Sequence, residues 1–425
     1  MVIVAFGVRC CYIVVEHTYR FRSFNTQIAA VQAGETNFDF GFEMGRIGRS
    51  LAQGQGFGNP FNQPTGPTAW EPPLYPFLIA GVFKVFGIYS RTSAILLLGI
   101  NSVFSALTCI PIFLISRRCF GEKIAGACSW TWAVLPPFSF WCTHWVWETS
   151  LAALLLAVIF YLTLGMGKKD GLKPWLQFGL LWGAAALTST ALLSFLPVSG
   201  LWAWYHRAEI GKRSLGGVVL ASVIFAACVT PWLIRNYRTF GQVVFIRSNF
   251  GAELRLGNGP GADGTWMVYL HPSKNPVEMS RYRQLGELAY VAAREREAMA
   301  WIRQGYPRFA ALSLRRFIYF WSGLPKASKN PAFYTNFLFL VSSMLAFWGL
   351  GRALRGHKPG AWLFFWLVLS YPLVYYFVFP HPRYRHPIEP ELVVLMVYVI
   401  SELPISWLVF VSGLRGISKP QPAAK

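Results

Sequence analysis

Charge is what this sequence has least of, and acid above all. Asp and Glu number 18 in 425 residues against 39 Lys and Arg, and charged residues of all kinds make up 13% of the chain. A soluble domain carries about 25%, so an ordinary water-facing surface is excluded. Cysteine is scarce as well: Cys10, Cys11, Cys109, Cys119, Cys128, Cys142 and Cys228 are the full set, none follows residue 228, and no CxxC spacing occurs. That excludes a disulfide framework in the long polar stretch after residue 235 and argues against a cysteine-based metal site. Most of the seven read as small core hydrophobes. No module interleaves basic and aromatic residues as single-strand binders do, so the formal charge of +21 is not read as nucleic-acid binding.

Apolar residues are plentiful, at 54% of the chain with 17% aromatic. They recur in runs close to the roughly 20 residues that cross a bilayer. The expected architecture is an all-α polytopic membrane protein of about ten transmembrane helices. Residues 1–15 carry no basic leader and no small-residue cleavage site, so they are expected to form a first span. Further spans are expected near 92–116, 123–141, 147–165, 175–189, 190–205, 214–234, 333–351, 360–380 and 388–410. The two flanking TSTA (188–191) are short and read as a tight hairpin. Residues 43–51 put Met44, Ile47 and Leu51 on one face, which predicts a helix along the membrane surface. Residues 76–87 are also expected at the interface, and 285–303 to be helical with Arg294 and Glu297 paired. Three parts follow: a transmembrane module 1–234 that includes a first loop over 16–75, a mainly helical segment 235–332, and C-terminal helices with a short tail, 333–425.

Short basic loops set the orientation. Arg117, Arg118, Lys123, Lys168, Lys169, Lys173, Arg207, Lys212, Arg213, Arg352, Arg355, Lys358, Arg415 and Lys419 fall on alternate loops, expected to be cytoplasmic. The basic loops also suit anionic membrane lipids. Residues 16–75, 142–146, 235–332 and 381–387 then share the extracytoplasmic side of the plasma (inner) membrane.

Four groups of ionisable residues gather on that side. Asp39 and Glu43 precede or open the surface helix, where a carboxylate is also favoured by the helix dipole alone. Glu148 enters an otherwise apolar span between interface tryptophans, Trp145 and Trp147. Glu71 precedes a Pro-Pro turn in WEPPLYP (70–76). In FPHPRYRHPIEP (379–390) the prolines forbid a continuous helix; read as extended, the stretch sends Arg383 and Arg385 to the same side. Such a pair suits a phosphate, although snorkelling to lipid head groups would also explain it.

In order and spacing, residues 43–90, WVWETSLAALLLA, the TSTA hairpin, PWLIRNY (231–237) and PRYRHPIEP resemble the GT-C glycosyltransferases along nearly the whole chain. More narrowly, the chain is similar to bacterial members of the protein mannosyltransferase and aminoarabinose transferase group, glycosyltransferase family 39 and relatives. The resemblance implies a GT-C-like fold, a polyprenyl-phosphate-linked sugar as donor, a lipid, glycan or protein acceptor, and hexosyl or pentosyl transfer with inversion. It implies Asp39 or Glu43 as base, Glu148 as a second acid, and Arg383, Tyr384 and Arg385 near the donor phosphate. Glu71, Arg46 and His381 are additional candidates. A divalent cation, Mg or Mn, would be held by Glu43 and Glu148 if the reaction uses one. Two departures stand out: the group's paired Asp-Glu is spread over FDFGFE, and Glu71 replaces a lysine before Pro-Pro. The competing readings are a lipid or solute transporter (a flippase) and a non-catalytic scaffold. A transporter would place its ionisable residues near the bilayer midplane.

Overall fold

The computed structural model describes residues 1–21, 40–61, 63–166, 171–209, 215–324 and 332–403. Asp39 and the C-terminal tail lie outside them. The described residues are mainly helical, with an isolated β-bridge between Gly58 and Pro67. A helix appears where 43–51 predicted one, as Phe42–Ala52, but Arg46 and Ser50 are buried as well as Met44 and Ile47; its neighbour is Leu74–Phe86. Gly48 lets the two meet, since a Cβ there would lie 2.6 Å from the Ile79 side chain.

Among the described residues, three helices are long and apolar enough to cross a membrane: Arg91–Phe120, Leu215–Phe240 and Asn336–Arg355. Val2–Val15, Thr149–Gly165 and Ala361–Phe377 are apolar but shorter. Prolines account for part of the difference from the ten expected spans. The run expected over 123–141 stops at Val134, where Pro136 and Pro137 turn the chain into a short 3₁₀ segment. Likewise, the run over 360–380 breaks at Ser370 ahead of Pro372. The TSTA turn is a 3₁₀ helix, Thr190–Phe195, between Lys173–Thr188 and Leu196–Glu209.

Residues 241–324 form four further helices: Phe250–Gly257, Pro276–Leu285, Glu287–Arg303 and Tyr306–Ser322. The expected Arg294–Glu297 pair is present at 2.5 Å. Buried polar groups fasten this segment to the first loop. The Glu287 carboxylate accepts from the Thr68 hydroxyl, from Ala69 N at 2.7 Å, from Ser248 Oγ at 2.7 Å and from Tyr282 OH at 2.7 Å. Arg235 donates to the carbonyls of Thr68 and Phe57 at 2.6 and 2.7 Å. On the other side, buried Arg316 donates to the carbonyls of Gly257 and Phe377 and so ties Phe250–Gly257 to the chain entering the 379–390 loop. Gly257 is required there: a Cβ would lie 1.8 Å from the Val378 carbonyl oxygen. Carbonyl and carboxylate partners for most of these donors make the charges tolerable, although Arg316 Nε is left without a partner.

Candidate active site

Four helices begin around one hollow. Glu43 lies in the first turn of Phe42–Ala52, and Glu71 stands just before Leu74–Phe86. Glu148 is the N-cap residue of Thr149–Gly165, and Glu253 lies in the first turn of Phe250–Gly257. The positive ends of the helix dipoles favour carboxylates at these positions, which is how so acid-poor a chain collects four of them.

The hollow has two chambers. The smaller, about 110 Å³, is lined by Glu43, His271, Lys274, His381 and the indoles of Trp145 and Trp266, among others. The larger, about 340 Å³, is lined by Glu148, Thr190, Ser194, Phe245, Phe250 and Tyr375, among others. Glu71, Trp147, Arg247, Glu253, Arg383 and Tyr384 line both and form the wall between them. A more voluminous groove of about 590 Å³, lined by Trp175, Trp182, Phe225 and their neighbours, contains no ionisable group and is not this site.

Arg247 organises the shared wall. Its Nε donates to the Trp70 carbonyl at 2.8 Å and its Nη2 to Glu71 Oε1 at 3.1 Å, with Glu253 Oε1 at 3.9 Å. The turn that aims it is strained: Ile246 has φ 60, a left-handed conformation costly for a β-branched residue. Trp232 Nε1 holds that turn by donating to the Ile246 carbonyl at 2.8 Å. Burial pushes the Glu71 carboxyl up to about 8, with Arg247 pulling the other way. Glu253 is raised by burial too, against the same arginine.

Arg383 faces the same wall but meets no carboxylate in ion-pair range among the described residues, Glu71 being engaged by Arg247. Its guanidinium lies over the Trp147 ring, 4.1 Å from the centroid, with Tyr384 and Trp145 at 5.2 and 5.6 Å. Burial raises the Tyr384 phenol to about 12 and, with Arg383 adding to it, lowers His381 to about 3. His381 is therefore a neutral ring. In the smaller chamber His271 Nε2 sits 3.7 Å from Glu43 Oε1, while its Nδ1 pairs with Ser273 Oγ at 2.6 Å. Burial lowers His271, against the pull of Glu43.

The structure separates several expected site residues. Arg385 does not share a side with Arg383. Residues Pro382–Ile388 form a 3₁₀ helix rather than an extended strand, and at three residues per turn positions two apart point to different sides. Arg385 turns inward instead, donating to the Phe339 carbonyl at 3.0 Å, to Ser343 Oγ at 2.9 Å and to the Ser342 hydroxyl. Arg46 is buried, donates to the Pro60 carbonyl and lines neither chamber. Glu43 lines the smaller chamber and Glu148 the larger. Among the described residues, no group of three or more His, Cys, Asp or Glu could hold a metal ion. One carboxylate oxygen of Glu148 is buried with no hydrogen-bond partner. Sequence reasoning missed Arg247, Glu253, His271, Lys274 and Trp266. A signal was available for Arg247: it is the only charge between Arg238 and Glu253.

Comparison with known proteins points the same way as the residues. Residues 70–234 match the model of the dolichyl-phosphate-mannose-protein mannosyltransferase family. The chain resembles that family and, with it, the GT-C membrane glycosyltransferases. No curated protein matches it in sequence. Among solved structures, the Archaeoglobus fulgidus oligosaccharyltransferase in complex with Zn and sulfate superposes with TM-score 0.50 at 14% identity, over 88% of this chain and 47% of that one. This chain thus spans about half the length of that structure, and the likeness is one of fold. The same organism's AglB in complex with an inhibitory peptide and a dolichol-phosphate gives 0.48 at 15% identity, covering 90% and 48%. ArnT from Cupriavidus metallidurans bound to undecaprenyl phosphate gives 0.37 at 13%, covering 91% and 77%.

Proposed function

We propose that this protein transfers a hexosyl or pentosyl group from a polyprenyl-phosphate donor to an acceptor, with inversion, on the extracytoplasmic side of the plasma membrane. The observation that carries the reading is Arg383: a guanidinium on the wall of a cavity, stacked on Trp147 and, among the described residues, without a carboxylate in ion-pair range. A fixed cation of this kind stabilises the negative charge that builds on a leaving phosphate more than it stabilises the ground state. Four helix N-termini around the hollow act in the same sense. The larger chamber's mouth suits a lipid, because Phe245 and Phe250 are each half-exposed there while Arg383 and Arg247 stand deeper.

The acceptor then enters through the smaller chamber, where Glu43 stands. Its hydroxyl oxygen attacks the anomeric carbon as the carbon–oxygen bond to the phosphate breaks. The electron pair leaves on the lipid phosphate, and the hydroxyl proton passes to a carboxylate, Glu43 or Asp39. With base and leaving group in different chambers, attack comes from the side opposite the phosphate, which inverts the carbon. The ten-span topology, with 235–332 outside, belongs to the same proposal.

The test is sugar transfer from radiolabelled polyprenyl-phosphate sugars by the purified full-length protein. Glu43→Gln and Asp39→Asn are made separately, and at least one is expected to abolish transfer while accumulating in the membrane normally. Wild-type turnover in both variants would remove the base assignment. Movement of labelled lipid across proteoliposomes with no bond broken would establish the transporter instead.

A further inference from the structure

We infer that the smaller chamber is a saccharide subsite, and that the acceptor is a glycan presenting a sugar ring to Trp266. This rests on the glycosyltransferase reading and specifies its acceptor.

The two mouths differ in a way that a shared lipid environment would not produce. Exposed Phe245 and Phe250 stand at the larger chamber, whereas the smaller carries Trp266, Ser273 and exposed Lys274. Trp266 is a fixed platform. One of its faces lies against Phe379, with ring centroids 6.1 Å apart and planes 18° from parallel. His271 meets it edge-on at 6.0 Å. Its backbone is held on both sides: Asp263 Oδ1 accepts from Thr265 N at 2.9 Å, and Met267 N donates to the Leu256 carbonyl at 2.9 Å. Trp266 is nevertheless 37% exposed. A rigid indole with one face covered and part of its surface open offers an electron-rich plane, and the C–H groups on one side of a pyranose are the complementary partner. Around it Glu43 accepts hydrogen bonds, Lys274 donates them, and Ser273 does both, the mixture a ring of hydroxyls needs. At about 110 Å³ the chamber is also too small for a drug-sized molecule. One terminal ring is the occupant assigned to it. Among the described residues no strand edge offers an extended peptide a partner.

Trp266 would then be an acceptor-binding residue, distinct from an interface anchor. The full-length protein in detergent is assayed with radiolabelled polyprenyl-phosphate sugars against two acceptor panels: short oligosaccharides and Ser/Thr-containing peptides. In parallel, saturation-transfer NMR reads binding of methyl hexopyranosides without turnover. Label is expected on oligosaccharides. Trp266→Ala should raise the acceptor KM about five- to tenfold, the size of an aromatic contact, with kcat and donor KM unchanged; Trp266→Phe should recover part of the loss. The glycoside signal should fall in Trp266→Ala. Label on peptides alone, or a glycoside signal that Trp266→Ala leaves intact, overturns the subsite while leaving glycosyl transfer standing. If nothing accepts label, the transfer reading fails and the NMR arm decides the subsite by itself: a signal lost in Trp266→Ala supports it, and no signal in the wild type overturns it.

Discussion

Arg383 and Arg385 stand two residues apart on one 3₁₀ turn and have opposite surroundings. Around Arg385 are a main-chain carbonyl and two serine hydroxyls of the Asn336–Arg355 helix, with Glu389 at 3.9 Å. Around Arg383 are three aromatic rings and a cavity. Residue type is the same, so the supply of acceptors decides the role. A guanidinium whose two terminal nitrogens are taken by another helix holds helices together; one that lines a hollow is available to an anion.

The contrast can be broken at either arginine. Arg383→Ala should have the largest effect on chemistry, a fall in kcat of about 100- to 1,000-fold, as when a preorganised electrostatic donor is removed. Membrane yield and thermal midpoint should stay near wild type; equal losses in both would show that Arg383 is structural. Arg385→Met should do the reverse, costing about 1–3 kcal/mol of stability for buried acceptors left unpaired, read as a lower thermal midpoint in detergent. The protein that does fold should turn over normally, and a selective loss of turnover would return Arg385 to the site. The smallest effect concerns the neighbouring cation, Arg247. Burial holds Glu71 protonated up to about 8. As pH rises through that value, the new carboxylate claims Arg247 and weakens its pull on an incoming phosphate. Donor KM is thus expected to rise several-fold over the one to two pH units around 8, the span of a single titration. Glu71→Gln should flatten the rise, and an unchanged profile would mean that another group titrates.

This comparison also marks how far the sequence could be read. Proline spacing correctly barred a continuous helix from 379–390, and the periodicity of EMGRIGRSL located a helix to within a residue or two. Neither resolves an extended stretch from a 3₁₀ turn, because that choice depends on acceptors supplied by the Asn336–Arg355 helix more than 40 positions earlier. For the same reason Glu71 and Glu43 were legible as acids beside helix starts, whereas Arg247 and Glu253 were not seen as their partners. Those contacts exist only once 246–248 is laid along 68–70, through bonds such as Ser248 N to the Ala69 carbonyl. Span boundaries were hardest to read at Pro136 and Pro372, where apolar composition continues but the helix is interrupted.

The Glu287 clamp has a consequence for how the protein is made. Thr68 and Glu287 are 219 positions apart, so the first loop cannot be fastened until the ribosome has delivered the second segment. At about 5–20 residues per second, that is a delay on the order of ten to forty seconds. During that interval Thr68, Ala69 and the neighbouring tryptophan stand without their eventual partners. Catalytic competence would thus arrive late in biogenesis, and chains released before position 287 would present an unfastened loop to quality-control proteases.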